Sequence, residues 1–212
     1  MRAFQEHMNV SRETLVDLEI YEKNLVNWTK KTNLIGKSTI KEIWTRHFLD
    51  SAQIVKHLPK LNHRTKIVDF GSGAGFPGLV LATLLKKNKK CTFYIIEKSP
   101  KKSQFLTFIT KKLKLNAKIY VKKAENINNI KGDIIISRAF APLSRALQIT
   151  FPYCKKNTVC YFYKGQNVDR EIELSTKYWN FGSMKKIKSI TSSEGIILKL
   201  RNYRERTKGE HY

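Results

Sequence analysis

The sequence contains few cysteines and no long apolar run. Its three cysteines show no C-x-x-C spacing, which argues against a disulfide framework or a zinc site and favours a reducing cytoplasm. A transmembrane helix needs about 20 apolar residues, whereas the longest apolar stretch extends only from Gly78 to Leu85. The segment from Met1 to Val10 lacks an apolar core, so no secretory signal is expected. We therefore expect a cytoplasmic protein with no membrane contact and no metal.

Acidic residues are also scarce. Asp and Glu number 17 against 41 Lys and Arg, and the net charge is +24. This excess favours a nucleic acid as partner, because basic side chains that neutralise phosphates release counterions and so drive binding. Two alternatives are an anionic membrane surface and the lysine bias of an AT-rich genome, although such a bias should not remove acidic residues to this extent. Lysine pairs that could hold RNA as a group lie at 86–87, 89–90, 101–102 and 122–123.

The hydrophobic pattern changes near residue 60. Before it, Leu15, Leu18, Tyr21, Leu25 and Trp28 recur at steps of three and four, which predicts one face of a helix. Thr39 and Glu42 have the spacing of a capping box and predict a helix start before Ile43. Seven β-type segments follow, mostly alternating with helical ones: Lys66–Phe70, Thr92–Ile96, Ala117–Val121, Asp133–Ser137, Thr158–Tyr163, Met184–Thr191 and Ile196–Leu200.

This alternation predicts an α/β fold with a mostly parallel seven-stranded sheet and helices on both faces. The last two strands have no helix between them, so we expect an antiparallel hairpin at the sheet edge. We divide the chain into an N-terminal helical region (1–60), an α/β domain (61–202) and a basic tail (203–212). A monomer is expected, since no apolar helix is left over.

A glycine-rich loop follows the first strand. The sequence Asp69-Phe70-Gly71-Ser72-Gly73-Ala74-Gly75 stands between that strand and a predicted helix. Glycines permit a tight turn and let a ligand approach the backbone, and a helix N-terminus offers free N–H groups. Glu97 ends the next predicted strand, where nucleotide-binding α/β folds place a carboxylate that holds ribose hydroxyls. These features predict a nucleotide-like cofactor.

The glycine spacing discriminates between cofactors. It is G-x-G-x-G rather than the G-x-G-x-x-G that cradles a dinucleotide pyrophosphate, and Phe76-Pro77 stands where that loop would continue. S-adenosylmethionine has no phosphate, and Asp69 suits its cationic ammonium and sulfonium groups. S-adenosylmethionine is therefore favoured over a nicotinamide cofactor.

Several motifs together resemble the RsmG (GidB) family, the bacterial small-subunit rRNA guanine-N7 methyltransferases. The segment Asp69–Gly78, which reads DFGSGAGFPG, is similar to the family's cofactor loop. The other matches occur in the family's order: Asn33-Leu34, Arg46-His47-Phe48-Leu49-Asp50-Ser51, Ala124-Glu125, Ser137-Arg138-Ala139-Phe140-Ala141 and Lys164-Gly165-Gln166. The loop alone is typical of methyltransferases in general, whereas the whole set is specific to the family.

The resemblance implies a Rossmann-like class I methyltransferase that uses S-adenosylmethionine to methylate N7 of a guanosine in 16S rRNA, with rRNA or the small ribosomal subunit as partner. It implies cofactor contacts at Gly71, Phe76, Ala124, Glu125 and Arg138. The generic methyltransferase fold adds Asp69, Gly73, Gly75 and Glu97.

Guanine N7 has a free lone pair and needs no general base, which agrees with a sequence that shows no catalytic dyad or triad. Arg138 and Lys164 are the candidate catalytic side chains, because each follows a strand at the edge where ligands bind in such folds. Their alternatives are an ion pair with a nearby acid for Arg138 and a solvated lysine for Lys164. The alternatives for the whole chain are a non-catalytic ribosome-assembly factor that binds RNA, and a methyltransferase that acts on another RNA or on a small molecule.

Overall fold

A seven-stranded sheet forms the centre of the protein. The computed structural model describes residues 1–61, 64–87 and 91–207. The strand order is β3-β2-β1-β4-β5-β7-β6, with β1 to β5 parallel and β7 antiparallel to both of its neighbours. The strands are β1 (Thr65–Phe70), β2 (Cys91–Ile96), β3 (Ala117–Tyr120), β4 (Gly132–Arg138), β5 (Cys154–Lys164), β6 (Trp179–Lys188) and β7 (Ile196–Glu205). The predicted mostly parallel sheet with an antiparallel edge hairpin is confirmed.

Helices cover both faces of this sheet. The α-helices are α1 (Arg2–His7), α2 (Arg12–Thr29), α3 (Asp50–Ala52), α4 (Gly78–Leu84), α5 (Pro100–Lys112), α6 (Leu143–Thr150) and α7 (Val168–Thr176). Short 3-10 helices span Lys37–Glu42, Gln53–His57, Ala124–Asn126 and Phe151–Tyr153, and a π-helix spans Ile43–Leu49. The sequence Ser99-Pro100 predicts a helix start, with serine as the N-cap and proline at the first helical position. The structure confirms it: α5 begins at Pro100, and the Ser99 hydroxyl accepts a hydrogen bond from the Lys102 amide at 3.4 Å.

The N-terminal helices share their hydrophobic core with one face of the sheet. The α2 residues Leu18, Tyr21 and Leu25 are fully buried and belong to the same cluster as Ile67 of β1 and Phe105 of α5. The neighbouring strand residues point the other way, into a second cluster that α6 covers. Residues 1–60 are therefore packed directly onto the α/β domain. Within the described parts of the chain, no helix is both long and apolar enough to cross a membrane.

Two sequence predictions about local structure were wrong. Thr39 caps no helix: it lies within a 3-10 helix, and its hydroxyl donates to the Gly36 carbonyl at 2.7 Å. The boundary at residue 202 falls inside β7, because Tyr203 is buried against Trp179, at a ring distance of 5.5 Å, and extends the strand. Residues 208–212 of the predicted tail, and the lysine pair at 89–90, lie outside the described residues.

Candidate functional site

The loop between β1 and α4 has a backbone conformation that favours glycine. Gly71, Gly73 and Gly75 have φ angles of 68°, 60° and 99°, which residues with a Cβ rarely adopt. A Cβ on Gly73 would meet only the Gly71 carbonyl oxygen, at 4.0 Å. The backbone at Gly73 is therefore open to close approach by a ligand.

Glu97 links this loop to the end of β2. One carboxylate oxygen, Oε2, accepts a hydrogen bond from the Gly73 amide at 2.9 Å, and Oε1 accepts one from the Ser99 amide at 2.8 Å. The side chain is buried in the wall beside the glycine loop. Glu97, predicted as a carboxylate at the end of the second strand, is thus in direct contact with the glycine loop.

A cleft of about 440 Å³ opens at the carboxyl ends of the strands. Four of the predicted cofactor residues line it: Gly71, Glu97, Ala124 and Glu125. The opposite wall comes from Ala139, Phe140 and Ala141, which follow β4. The structure therefore brings together residues from three separate sequence motifs around one space.

Asp69 lies beneath the loop and is fully buried. Its Oδ2 accepts hydrogen bonds from the Ser72 hydroxyl at 2.5 Å and from the Gly78 amide at 2.9 Å. Burial raises the pKa of Asp69 to about 7, although both hydrogen bonds act to lower it. The structure places this carboxylate where it closes the loop onto the start of α4, rather than on the surface of the cleft.

We expect an Asp69→Asn variant to lose part of the pH dependence of stability. Between the ordinary pKa of 3.8 and the folded value of about 7, the folded protein keeps a proton that the unfolded chain has released. Wild-type stability should therefore fall as the pH rises through this range. Asparagine carries no such proton and retains an oxygen for the Gly78 amide.

Urea unfolding of both proteins at several pH values between about 4 and 8 provides the measurement. The wild-type free energy of unfolding minus that of the variant should decrease up to about pH 7 and then level off. A difference that stays constant across this range would show that Asp69 is ionised in the folded protein.

Gly75 and Phe76 face the N-terminal helices. The Tyr21 hydroxyl of α2 donates to the Ala74 carbonyl at 2.6 Å, and a Cβ on Gly75 would fall on that hydroxyl. Phe76 is buried, and its ring stacks on the imidazole of His47 at a centroid distance of 4.9 Å. Ala74 and Phe76 therefore fix the loop to the helical region, and Gly75 leaves room for the Tyr21 hydroxyl; neither Gly75 nor Phe76 lines the cleft.

Arg138 extends from the end of β4 to the same helical region. Its guanidinium donates to Asp50 Oδ2 at 2.7 Å, to the Arg46 carbonyl at 3.0 Å and to His47 Nδ1 at 2.9 Å. It also lies over the Phe76 ring, with its Cζ 5.1 Å from the centroid. The ion-pair alternative considered for Arg138 is present, and its partner is Asp50.

These contacts determine the tautomer of His47. Arginine can only donate, so Nδ1 accepts from Arg138 and the ring proton is on Nε2. Nε2 lies 2.9 Å from the Thr39 hydroxyl oxygen, whose own proton goes to the Gly36 carbonyl. Burial, followed by the charges of Arg138 and Arg46, lowers the pKa of His47 to about 4. His47 is therefore neutral at physiological pH and serves as an acceptor for Arg138.

The π-helix makes the Arg46 carbonyl accessible. In an α-helix the Asp50 amide would donate to the carbonyl four residues earlier, which is that of Arg46. Here it donates to the Thr45 and His47 carbonyls instead. The Arg46 carbonyl accepts from Arg138, so the irregular helix provides one of the three acceptors that hold this side chain. π-Helical turns are frequent at functional sites.

A second cavity of about 330 Å³ lies on the other side of Ala139. Asp50, Arg138, Tyr163 and Lys164 contribute to its lining, together with residues of the β6–β7 connection. Ala139 lines both cavities and has a φ of 51°, a conformation that alanine rarely adopts and that marks local strain. The segment after β4 therefore separates two adjacent spaces at the edge of the sheet.

The Lys164 side chain is largely buried, and its ammonium group is bonded to two protein oxygens. Only 8% of its side chain is exposed, so the alternative of a solvated lysine is wrong. Its ammonium donates to the Ala141 carbonyl at 2.8 Å and to Glu171 Oε2 at 2.7 Å. The same Glu171 oxygen accepts from the Leu143 amide at 2.5 Å. Lys164 thus holds the segment after β4 from the side opposite to Arg138.

The sequence motifs contained Asp50 and Phe140 but did not reveal their roles. Asp50 lies in a segment that resembles the family. It is 88 residues from Arg138 in the sequence, so no local sequence pattern predicts the contact between the two side chains. Phe140 packs so closely on Gly71 that a Cβ there would lie 2.6 Å from its ring. Both roles depend on tertiary contacts.

Comparison with known proteins gives a consistent result. The model of a family described as GidB, rRNA small subunit methyltransferase G, matches residues 14–199. A Ribosomal RNA small subunit methyltransferase G from Paramagnetospirillum magneticum is 36% identical over 192 residues, which cover 91% of this chain and 90% of that protein. The protein of the same name from Hyphomonas neptunium is 36% identical over 204 residues, which cover 96% and 95%.

Solved structures show the same fold. A SAM-dependent methyltransferase from Aquifex aeolicus superposes with a TM-score of 0.58 at 14% identity, covering 82% of this chain and 97% of that one. A putative S-adenosyl-L-methionine-dependent methyltransferase from Methanococcus maripaludis gives a TM-score of 0.58 at 15% identity, with coverages of 77% and 90%. The predicted Rossmann-like class I methyltransferase fold is confirmed.

Proposed function

This chain belongs to the GidB family, rRNA small subunit methyltransferase G, and from that premise we propose that it uses S-adenosylmethionine to methylate N7 of a guanosine in 16S rRNA. The family resemblance seen in the sequence motifs is thereby confirmed. The observation that carries the proposal is the pair of cavities that meet at Ala139, one beside the glycine loop and one beside Arg138. Such a pair suits a cofactor next to a substrate base.

The residues of the larger cleft fit S-adenosylmethionine. Gly73 stands next to this cleft, with its amide bonded to the lining residue Glu97, and its open backbone would permit close contact with the amino-acid part of the cofactor. Glu97 stands at the end of β2, where α/β folds bind ribose hydroxyls, and Ala124 and Glu125 line the same space after β3. Asp69 and Phe76 support this cradle from below through their contacts with Gly78 and His47, and Gly75 leaves room for the Tyr21 hydroxyl that bonds to the loop.

The chemistry makes modest demands on the protein. The bound cofactor supplies an electrophilic methyl group on a sulfonium. Guanine N7 presents a lone pair, so no side chain has to remove a proton before the attack. The protein has to align the base and exclude water, and alignment of reacting groups can contribute about 7–11 kcal/mol in favourable cases.

Arg138 and Lys164 act in this scheme as positioning residues. Arg138 anchors the start of the segment 138–143 to the N-terminal helical region, and Lys164 anchors its end to Glu171. Between these anchors, Ala139 lines both proposed binding sites, and Phe140 lines the cofactor cleft. The two basic side chains thereby hold the wall against which cofactor and base are aligned.

We propose rRNA of the small ribosomal subunit as the partner and the bacterial cytoplasm as the location. The net charge of +24 supports a polyanionic partner. The protein is proposed to act as a monomer without a metal.

A methylation assay tests the proposal. Purified protein is incubated with tritiated S-adenosylmethionine and small ribosomal subunits, or their rRNA, from a strain that lacks this modification. We expect label in one guanosine that borohydride–aniline cleavage identifies as N7-methylated. Melting in the presence of cofactor at about 100 times its dissociation constant should show stabilisation of about 2.7 kcal/mol, and NAD should have no effect.

The alternatives predict different results. A non-catalytic assembly factor would bind subunits without transferring label. A methyltransferase with another substrate would melt at a higher temperature with S-adenosylmethionine but leave rRNA unlabelled, and tRNA and small acceptors would then be screened.

A further inference from the structure

Four lysines surround the cofactor cleft. Lys98 follows β2, Lys102 lies in the first turn of α5, and Lys122 and Lys123 follow β3. Lys98, Lys122 and Lys123 are exposed and Lys102 is half-buried. We call these four residues the lysine rim. None of them forms an ion pair with a residue in the described part of the chain.

The charges that line the cleft do not balance. Arg145 also contributes to the lining, and it forms an ion pair with Glu125 at 2.7 Å. Glu97 is the other carboxylate in the lining, and it accepts hydrogen bonds from two backbone amides. Five cationic side chains against two carboxylates leave three positive charges uncompensated.

This charge opposes the cofactor. S-adenosylmethionine carries a sulfonium, an ammonium and a carboxylate, so its net charge is also positive. The lysine rim therefore weakens cofactor binding in the free protein by repulsion between like charges. Its presence at this cleft indicates that an anionic ligand binds there. Phosphates of a nucleic-acid backbone supply such an anion.

We propose that the lysine rim binds the phosphate backbone of the RNA substrate beside the cleft, and that RNA binding thereby strengthens cofactor binding. The inference rests on the proposed function, because it takes RNA as the substrate. Phosphates at the rim neutralise the charge that repels the cofactor. The coupling is reciprocal: RNA and the positively charged cofactor increase each other's affinity by the same factor.

Two cofactor analogues separate charge from shape. In sinefungin a carbon that bears a protonated amine replaces the methylated sulfur, so the analogue keeps the positive charge but has no methyl group to transfer. S-adenosylhomocysteine has a neutral sulfur. Salt screens the repulsion between the rim and a positively charged ligand, with a screening length of about 10 Å at 0.1 M. Without RNA, a higher salt concentration should therefore raise the affinity for sinefungin relative to the affinity for S-adenosylhomocysteine.

The decisive variant replaces the three exposed rim lysines: Lys98→Gln, Lys122→Gln and Lys123→Gln. At low salt and without RNA it should bind sinefungin about fivefold more tightly than wild type, because like charges in partly screened surroundings repel by roughly 1 kcal/mol in total. Affinity for S-adenosylhomocysteine should change little. Calorimetric titration provides both dissociation constants.

The same variant should bind RNA more weakly. With a 16S rRNA transcript as probe, the slope of log affinity against log salt should become shallower by about 2–3, since each lost phosphate contact contributes about 0.7–0.9. Addition of RNA should tighten sinefungin binding by wild type about fivefold, as expected for relief of the same repulsion, and should have little effect in the variant.

A matched control removes the same charge at the other end of the strands. Lys60 and Lys156 line a cavity beside the start of β1, and Lys56 is exposed in the nearby 3-10 helix. The variant with Lys56→Gln, Lys60→Gln and Lys156→Gln should leave both the sinefungin affinity and the RNA salt slope near their wild-type values.

Either of two results would overturn the inference. One is a rim variant whose RNA salt slope matches that of the control variant. The other is a rim variant whose sinefungin affinity is unchanged or weaker than that of wild type. Failure of the proposed function is distinguishable, because it appears as a lack of rRNA labelling by wild type, whereas both tests here measure binding without turnover.

Discussion

An Arg138→Ala variant is expected to methylate rRNA at least about 100-fold more slowly per folded molecule than wild type, since misplacement by about 1 Å can cost that much. Its guanidinium joins the segment after β4 to Asp50, His47 and the Arg46 carbonyl. Without these bonds, the backbone pairing of Arg138 with Tyr163 remains, but no side chain of residue 138 joins the strained Ala139 segment to the helical region. Both cavities share Ala139, so cofactor and base would lose their alignment together.

The same substitution should also lower stability. The side chains of Arg138 and Asp50 are only 18% and 19% exposed. Asp50 would keep hydrogen bonds from Gln53 and Thr191 through Oδ1 but would lose its only cationic partner among the described residues. Removing one partner of a fully buried ion pair lowers the free energy of unfolding by about 3–5 kcal/mol. Because both side chains are partly exposed, we expect a loss of about 2–3 kcal/mol here.

Two conservative variants separate positioning from simple loss of structure. Arg138→Lys keeps the charge but cannot reach three acceptors at once, and Asp50→Asn keeps an oxygen for the guanidinium. Each should retain more activity than Arg138→Ala. Rates are measured at saturating cofactor and RNA at a temperature where circular dichroism shows each variant to be folded. Wild-type turnover by folded Arg138→Ala would refute the positioning role.

A Gly75→Ala variant is expected to be less stable by about 3–5 kcal/mol, as the sum of backbone strain and overpacking. Gly75 has a φ of 99°. A Cβ there would fall on the Tyr21 hydroxyl and lie 3.1 Å from the Leu79 Cβ. Tyr21 is fully buried and cannot move without giving up its bond to the Ala74 carbonyl.

Gly73→Ala is the matched control, because it makes the same change in the same loop. Gly73 also has a positive φ, of 60°, but a Cβ added there would meet only the Gly71 carbonyl oxygen, at 4.0 Å. We expect a loss of about 1–2 kcal/mol, the cost of the left-handed backbone alone. Urea unfolding provides both free energies.

A double variant tests the cause. Tyr21→Phe alone should lower the free energy of unfolding by about 1 kcal/mol, because one hydrogen bond is lost. The same substitution removes the hydroxyl oxygen on which the new Cβ of residue 75 would fall. Combined with Gly75→Ala, it should therefore recover part of the loss, so that the two effects are not additive. Strict additivity would show that the clash with Tyr21 does not determine the cost.

The sequence predicted the regular elements because their signals are local. The spacing of Leu18, Tyr21 and Leu25 indicated the buried face of α2, and Ser99-Pro100 indicated the start of α5. The alternation of apolar strands and helices predicted the parallel sheet and the edge hairpin. Glu97 was predicted at the end of the second strand from its position in the sequence, and the structure places it in contact with the Gly73 amide.

The tertiary structure decided which polar groups hold the site. The ion pair of Arg138 with Asp50 joins residues 88 positions apart, and Asp69 turned out to lie beneath the loop because Gly78 and Ser72 provide its hydrogen bonds. The π-helix that frees the Arg46 carbonyl has no periodicity that distinguishes it from an α-helix. Sequence patterns report which residues are buried on one element, whereas the partners of a buried charge depend on how separate elements pack.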